Sequence, residues 1–226
     1  MSFGLSRGRT LITTGFGLDQ SDLPPFENGR IDPRDFFDHP EHRLEIEIGT
    51  GKGTFLVKQA PLRLDINYLG IEKTAEFYRY AADRMRRRSL DNVKILRADA
   101  TEFIRYWCAD AVAAVIHMYF SDPWPKKRHH KRRVIQDRSL QEFHRILAPA
   151  GEIRLVTDHP DLWAWYEDHA SRNAHLFERR AFDRPESADE GEIVGTNFER
   201  KYRREGRPFY AMTLLKRGTK ARRRTI

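Results

Sequence analysis

Hydrophobic positions first fall into a regular pattern at Arg43. Leu44, Ile46 and Ile48 alternate with Glu45 and Glu47, a period of two that predicts a strand, and glycines then interrupt it. Residues 54–60 have helical composition and stop at Pro61. The pattern then repeats. A short strand is expected over 66–71. A helix follows over 74–88, with Ala75, Tyr78, Ala81, Ala82 and Met85 near helical spacing. Next come a strand over 93–96 and a short helix over 101–106. Residues 111–120 form an almost unbroken apolar run, interrupted by His117, as expected of a strand buried on both faces. A helix over 134–147 ends before Pro149 and Gly151. A strand over 152–157 and a Trp-rich helix over 162–173 close the series. Strand and helix alternate five times, which predicts an α/β fold with a doubly wound, mostly parallel sheet and crossover helices.

The ends of the chain are less regular. Residues 1–42 carry many glycines and prolines and no sustained period, so they are expected to form a separate, flexible arm. Residues 187–195 are acidic and read as a loop, and 209–215 as a last strand. The main domain is expected over 43–215, with a basic tail over 216–226.

Open parallel sheets of this kind bind ligands outside the carboxyl ends of their strands. The residues there are Glu47 to Gly49, Glu72, Asp99, Asp122 and Asp158. One carboxylate after a strand is an ordinary helix cap; five in register point to a shared site. The first strand runs into Glu47-Ile48-Gly49-Thr50-Gly51-Lys52-Gly53. Thr54 occupies the place where a dinucleotide fingerprint needs Gly or Ala, and Gly53 the place where a P-loop needs Ser or Thr. Both matches fail. Gly49, Gly51 and Gly53 instead belong to an acidic-x-Gly-x-Gly-x-Gly turn that is similar to the first motif of class I S-adenosylmethionine methyltransferases. Glu72 is placed to accept from both hydroxyls of a ribose. Asp99, followed by Ala100, is placed to accept from an adenine amino group. The three sites describe an adenosine without a pyrophosphate.

Composition narrows the partner. The 226 residues carry 41 Lys+Arg against 33 Asp+Glu, a net charge of +8, which favours a polyanion. The single Cys108 excludes an internal disulfide and a Cys-cluster zinc site, and no metal site is expected. No apolar stretch is long enough to span a bilayer and no secretory signal is visible, so a cytoplasmic protein is expected. The charge is concentrated after the fourth strand. Ser121-Asp122-Pro123-Trp124-Pro125 is followed by Lys126, Lys127, Arg128, His129, His130, Lys131, Arg132 and Arg133. The prolines are expected to hold Asp122 and Trp124 extended. A charge run is most often a solvated helix face; beside a cofactor turn, phosphate binding is the better explanation. The adjacent histidines should point apart, unlike metal ligands.

This stretch, with Glu-Ile-Gly-x-Gly-x-Gly, Gly70-Ile71-Glu72, Asp99-Ala100, Thr157-Asp158-His159 and Thr196-Asn197-Phe198-Glu199, resembles the bacterial tRNA (guanine-N7)-methyltransferases of the TrmB type. The resemblance covers about residues 44–214 and leaves the arm out. It implies the Rossmann-like fold of class I methyltransferases, S-adenosyl-L-methionine as cofactor, and tRNA as partner, modified at a guanine of the variable loop. It implies cofactor binding by Glu47, Gly49, Gly51, Gly53, Glu72, Asp99, Ala100 and Asp122. Substrate contacts are implied for Lys126, Asp158, Thr196, Asn197, Phe198 and Glu199, and RNA contacts for Lys127 to Arg133. Asn197 departs from the family, which usually has Lys or Arg there. Asp122 is the implied catalytic position.

Guanine N7 has a free lone pair and no proton, so in-line attack on the methyl of a sulfonium needs no general base. Alignment and a suitable field must do the work. Positive charge moves from sulfur to the purine, and a carboxylate near the base favours that. The same carboxylate can accept from guanine N1–H and N2–H, which adenine cannot offer. Asp122, Asp158 and Glu199 all remain open for that task. Thr196-x-x-Glu199 also reads as a capping box for a following helix, and Trp124 either stacks on a base or packs on the prolines. The alternatives are a class I methyltransferase with another RNA nucleophile, and an RNA-binding module without activity.

Overall fold

The computed structural model describes Leu5 and residues 8–218. The regular elements, in chain order, are β1 (Gly17–Asp19), β2 (Arg43–Ile48), α1 (Thr54–Gln59), β3 (Ile66–Glu72), α2 (Ala75–Arg87), β4 (Val93–Arg97) and α3 (Ala100–Tyr106). They continue with β5 (Ala113–Tyr119), α4 (Asp137–Ile146), β6 (Leu147–Thr157), α5 (Pro160–Arg172), β7 (Phe177–Arg180), α6 (Asn197–Arg204) and β8 (Tyr210–Lys216). The strands form one sheet in the order β1-β4-β3-β2-β5-β6-β8-β7. Only β8 runs against the others. The chain order reverses between β2 and β5, so a crevice opens there at the carboxyl ends of the parallel strands.

Two apolar layers cover the sheet. Leu44, Ile46 and Ile48 face one side with Phe103, Ile104, Leu140, Phe143 and Tyr166 from α3, α4 and α5. Phe55, Leu56, Tyr78, Ala81, Ala82 and Met85 from α1 and α2 cover the other with Tyr68 and Val156. With both faces covered, the two acidic positions of β2 do not reach solvent. Glu45 and Glu47 are buried. Glu45 is stabilised by His117, whose Nε2 lies 2.8 Å from its Oε2; the other ring nitrogen of His117 meets the Tyr119 hydroxyl at 2.7 Å. The histidine that interrupts the apolar run of β5 is therefore the partner of a buried acid.

The structure differs from the sequence expectation at several places. The segment expected as an arm packs on the domain: β1 adds to the sheet beside β4, Ile31 bridges to Cys108, Trp107 donates its indole N–H to the Pro24 carbonyl, and Phe37 is buried. Three residues of strand are too few to show a period in sequence. The fifth predicted strand begins earlier, at Leu147, because Leu147 pairs with Ala113 across an irregular register that accommodates Pro149 and Gly151. The short β7 at the sheet edge was not expected; its Glu178 to Arg180 are charged, and only the pairing with β8 makes it a strand. The tail expected from residue 216 begins as the last residue of β8, and residues 219–226 lie outside the described residues. Among the described residues, no helix is long and apolar enough to cross a membrane. Cys108 is buried, and burial pushes its thiol up to about 12.

Candidate active site

A cleft of about 1360 Å³ opens at the carboxyl edge of the sheet. It is lined by Glu47, Gly49 and Gly51 after β2, Glu72 after β3, Asp99 and Ala100 after β4, and Asp122 after β5. Four of the five strand-end carboxylates thus share one cavity. Asp158, the fifth, does not line it; its carboxylate takes a 2.7 Å ion pair from Arg207.

The glycine turn is shaped by backbone geometry. Gly49, Gly51 and Gly53 all have positive φ, from +54° to +79°, a region costly for residues with a Cβ. A Cβ at Gly49 would meet nothing within 4 Å, so the turn presents open backbone to the cleft. Gly53 does something else. A Cβ there would collide with Met85, and Gly53 is not among the lining residues. Its role is to let α1 start tight against α2. Glu72 locks the turn: Oε2 accepts from the Gly51 amide at 2.8 Å and Oε1 from the Thr74 amide at 2.7 Å. Each oxygen keeps a further lone pair for a ligand. Asp99 caps α3 through the Thr101 and Glu102 amides and accepts from Lys73 Nζ at 2.9 Å. Burial raises its pKa, but the Thr101 and Lys73 contacts outweigh that and hold it below the ordinary carboxylate value. Glu47 is the opposite case. It is buried at the floor of the cleft, its Oε2 is an acceptor without a partner, and burial pushes its carboxyl up to about 8.

The strand β5 ends in strain. Phe120 and Trp124 have φ of +55° and +43°, in the left-handed region where non-glycine residues are uncommon. Trp124 therefore does not take the extended conformation that Pro125 was expected to impose. Its turn is stabilised on both sides: Arg132 lies 4.8 Å from the ring centroid and His129 packs edge-on at 5.9 Å. The Asp122 side chain is exposed and makes no hydrogen bond among the described residues. Such outliers persist where surrounding structure determines them, frequently at reactive sites.

The basic run forms a 3-10 turn over Lys127–Arg132, and its members divide by role. Lys126, Lys127, Arg128, Lys131 and Arg132 are exposed, and none of them is ion-paired with a described Asp or Glu. His129 and His130 point apart, onto Trp124 and Trp165 respectively. Arg133 is 3% exposed; it donates to the Pro123 carbonyl and lies over Trp165. Those three residues build the loop rather than face outward. Lys131, Arg132 and Arg133 line the cleft, whereas Lys126, Lys127, Arg128, His129 and His130 do not.

The segment after β7 returns to the site. Thr196, Asn197 and Phe198 line the cleft, and Phe198 is 48% exposed. Thr196 is the N-cap of α6, accepting from the Glu199 amide. Glu199 is fully buried and faces away from the cleft. Its carboxylate accepts from the amides of Ile193, Val194 and Gly195 and pairs with Arg203. That arrangement removes it as a direct reader of a base: its capacity is spent on folding the preceding loop. Asn197 donates to Thr54 Oγ1 at 3.0 Å, tying this segment to the start of α1. Neither that link nor the Glu45–His117–Tyr119 chain was anticipated, although the isolated His117 was a visible signal. Away from the cleft, before β2, His39, Glu41 and His42 bring ligand atoms within 4.8 Å of one another, a grouping the expectation of no metal site did not foresee.

A family model described as "Putative methyltransferase" matches residues 41–212. The tRNA (guanine-N(7)-)-methyltransferase of Streptococcus mutans serotype c is 35% identical over 173 residues, which is 76% of this chain and 80% of that protein. Its counterpart in Nitrobacter hamburgensis is 33% identical over 212 residues, 91% of this chain and 82% of that protein. Among solved structures, an aminoglycoside resistance methyltransferase matches 83% of this chain and 95% of its own with a TM-score of 0.56 at 18% identity, a likeness of fold.

Proposed function

Because this chain belongs to the bacterial tRNA (guanine-N7)-methyltransferase family, we propose that it transfers the methyl group of S-adenosylmethionine to N7 of a guanine in tRNA. The observation that carries this is the convergence of Glu47, Glu72, Asp99 and Asp122 on one cleft, beside an open glycine turn and an unpaired basic loop.

The residues fit the cofactor. S-adenosylmethionine supplies an electrophilic methyl on a sulfonium. Glu47 offers its orphaned Oε2 to the ammonium of the methionine end, which removes the cost of an unpaired buried acceptor. Glu72 keeps lone pairs for the ribose hydroxyls while its amide contacts hold the turn rigid. Asp99 and Ala100 bound the adenine end. Gly49 and Gly51 give the close approach; Gly53 contributes only through packing.

Asp122 is the catalytic residue. Its carboxylate stands free at the end of a strained strand, so it can face the guanine edge and the positive charge that develops on the purine. It removes no proton from N7, which carries none. Glu199 acts indirectly, by holding residues 193–195 and so placing Thr196 to Phe198 at the mouth of the cleft. Lys126, Lys127, Arg128, Lys131 and Arg132 hold phosphates, and no protein carboxylate must be displaced for them to do so. Asp158 is held by Arg207 outside the cleft. The reaction belongs in the cytoplasm, with unmodified tRNA.

The test is transfer of labelled methyl from S-adenosylmethionine to a tRNA transcript and to the same transcript made with 7-deazaguanine. Label should enter the first alone. Equal labelling of both removes N7 as acceptor. Tight tRNA binding with no labelling of either leaves a binding module without activity.

A further inference from the structure

The cleft is larger than its cofactor end requires. Small-ligand sites are ordinarily about 300–1,000 Å³, against about 1360 Å³ here. The additional space runs between α3 and α4, away from the glycine turn. Arg105 and Tyr106 line it from α3, Arg138 from α4, and Lys131 and Arg132 from the basic loop.

Two features set this groove apart from an ordinary charged surface. First, its cations lack carboxylate partners: none of Arg105, Lys131, Arg132 and Arg138 is ion-paired among the described residues. Arg105 instead lies 4.7 Å from the Tyr106 ring centroid, and Arg132 4.8 Å from that of Trp124. The acids present are Glu102, which is exposed, and Glu142, which is taken by Arg145 at 2.7 Å. Several arginines elsewhere are matched instead; Arg86 and Arg87 both pair with Asp83, and Arg200 with Asp189 and Glu192. Second, an aromatic ring lies under a guanidinium at each end of the groove. Tyr106 is 37% exposed. Free cations interleaved with accessible rings are what unpaired nucleic acid uses: phosphates track the cations and bases stack on the rings.

We propose that the α3–α4 groove is a second subsite, which holds the unpaired nucleotides next to the target guanosine, with phosphates on Arg105 and Arg138 and a base on Tyr106. This rests on the assignment of tRNA as substrate. A stretch of single strand fits better than duplex, because a paired base has no free face to give Tyr106. Arg105 and Arg132 already sit on aromatic faces, so an arriving base exchanges one stacking partner for another and frees the guanidinium for phosphate.

The experiment uses the full chain and tRNA transcript, with binding followed across a salt series. Arg105→Gln with Arg138→Gln should weaken tRNA binding ten-fold or more at low salt. It should also reduce the steepness of the log–log salt dependence by about 1.4, the value for two single-strand phosphate contacts. Tyr106→Ala should weaken binding about five-fold or more with the salt slope kept. Replacing both arginines by lysine should keep most of the slope, which separates charge from folding. Affinity for S-adenosylmethionine should be unchanged in all of them. Wild-type tRNA affinity in either the double variant or Tyr106→Ala overturns the subsite. Methyl transfer by the unaltered protein is scored separately, so loss of the subsite leaves the proposed activity standing, and loss of that activity is seen without any variant.

Discussion

On the side of the cleft built from β2, β3 and β4, Glu72 and Asp99 are anchored by backbone amides; on the side built from residues 120–133 and 187–207, charged side chains mostly hold one another or stand free, although Glu199 also takes the amides of residues 193–195. Glu72 and Asp99 each accept from main-chain N–H groups, so the donor side is rigid wherever its strands are in register. Across the cleft, Arg207 holds Asp158, Arg203 holds Glu199, and the basic loop is stabilised by cation–ring contacts. The donor side is suited to one ligand of fixed shape, and the opposite side to a large flexible polyanion. Salt should weaken the second and leave the first almost unaffected, since exposed charges are screened within about 10 Å at 0.1 M ionic strength.

The contrast can be broken most severely beneath the donor side. His117→Ala leaves Glu45 charged, buried and unpaired, and should cost about 3–5 kcal/mol of stability in denaturant unfolding. At the junction of the two sides, Asp122→Asn should lower turnover about 10²- to 10³-fold with tRNA affinity nearly kept, measured under saturating donor. Unchanged turnover would remove Asp122 from the chemistry. On the substrate side, neutralising Lys126, Lys127, Arg128 and Lys131 together should weaken tRNA binding and flatten its salt dependence by about 0.7 for each phosphate no longer held; an unaltered slope would return the loop to a solvated surface.

The last test concerns Glu47. Its carboxyl is raised by burial from 4.5 to about 8 in the folded protein. Between those values the folded state binds the extra proton, so stability falls as pH rises, by at most about 1.4 kcal/mol per pH unit. Glu47→Gln should remove that decline, which thermal melts from pH 5 to pH 8 would show. Parallel melting curves would mean that Glu47 is ionised throughout.

The same contrast explains what was legible in the sequence. The donor side follows from local rules: period-two strands, a glycine turn, and acids at or just past the strand ends. Glu47, Glu72, Asp99 and Asp122 were all placed on one edge by that logic. Gly53 packs against Met85 rather than lining the cleft, and only such packing distinguishes a glycine that fits a helix from one that fits a ligand. The substrate side depends on contacts between distant residues. That Glu199 caps the 193–195 amides, that Arg133 is a buried strut, and that Trp124 turns left-handed before a proline are all tertiary outcomes. The strand at Gly17–Asp19 was hidden for a similar reason, since its partner β4 supplies the order that its own three residues cannot.

The most direct measurement is calorimetric titration of S-adenosylmethionine into the free protein and into Glu72→Gln, with tRNA affinity measured in parallel. The variant loses a charged acceptor for the ribose and should bind the cofactor about 10- to 100-fold more weakly, while holding tRNA as before. Equal cofactor affinity in the two proteins, or no cofactor binding by either, would contradict a methyl-donor site at the carboxyl edge of this sheet.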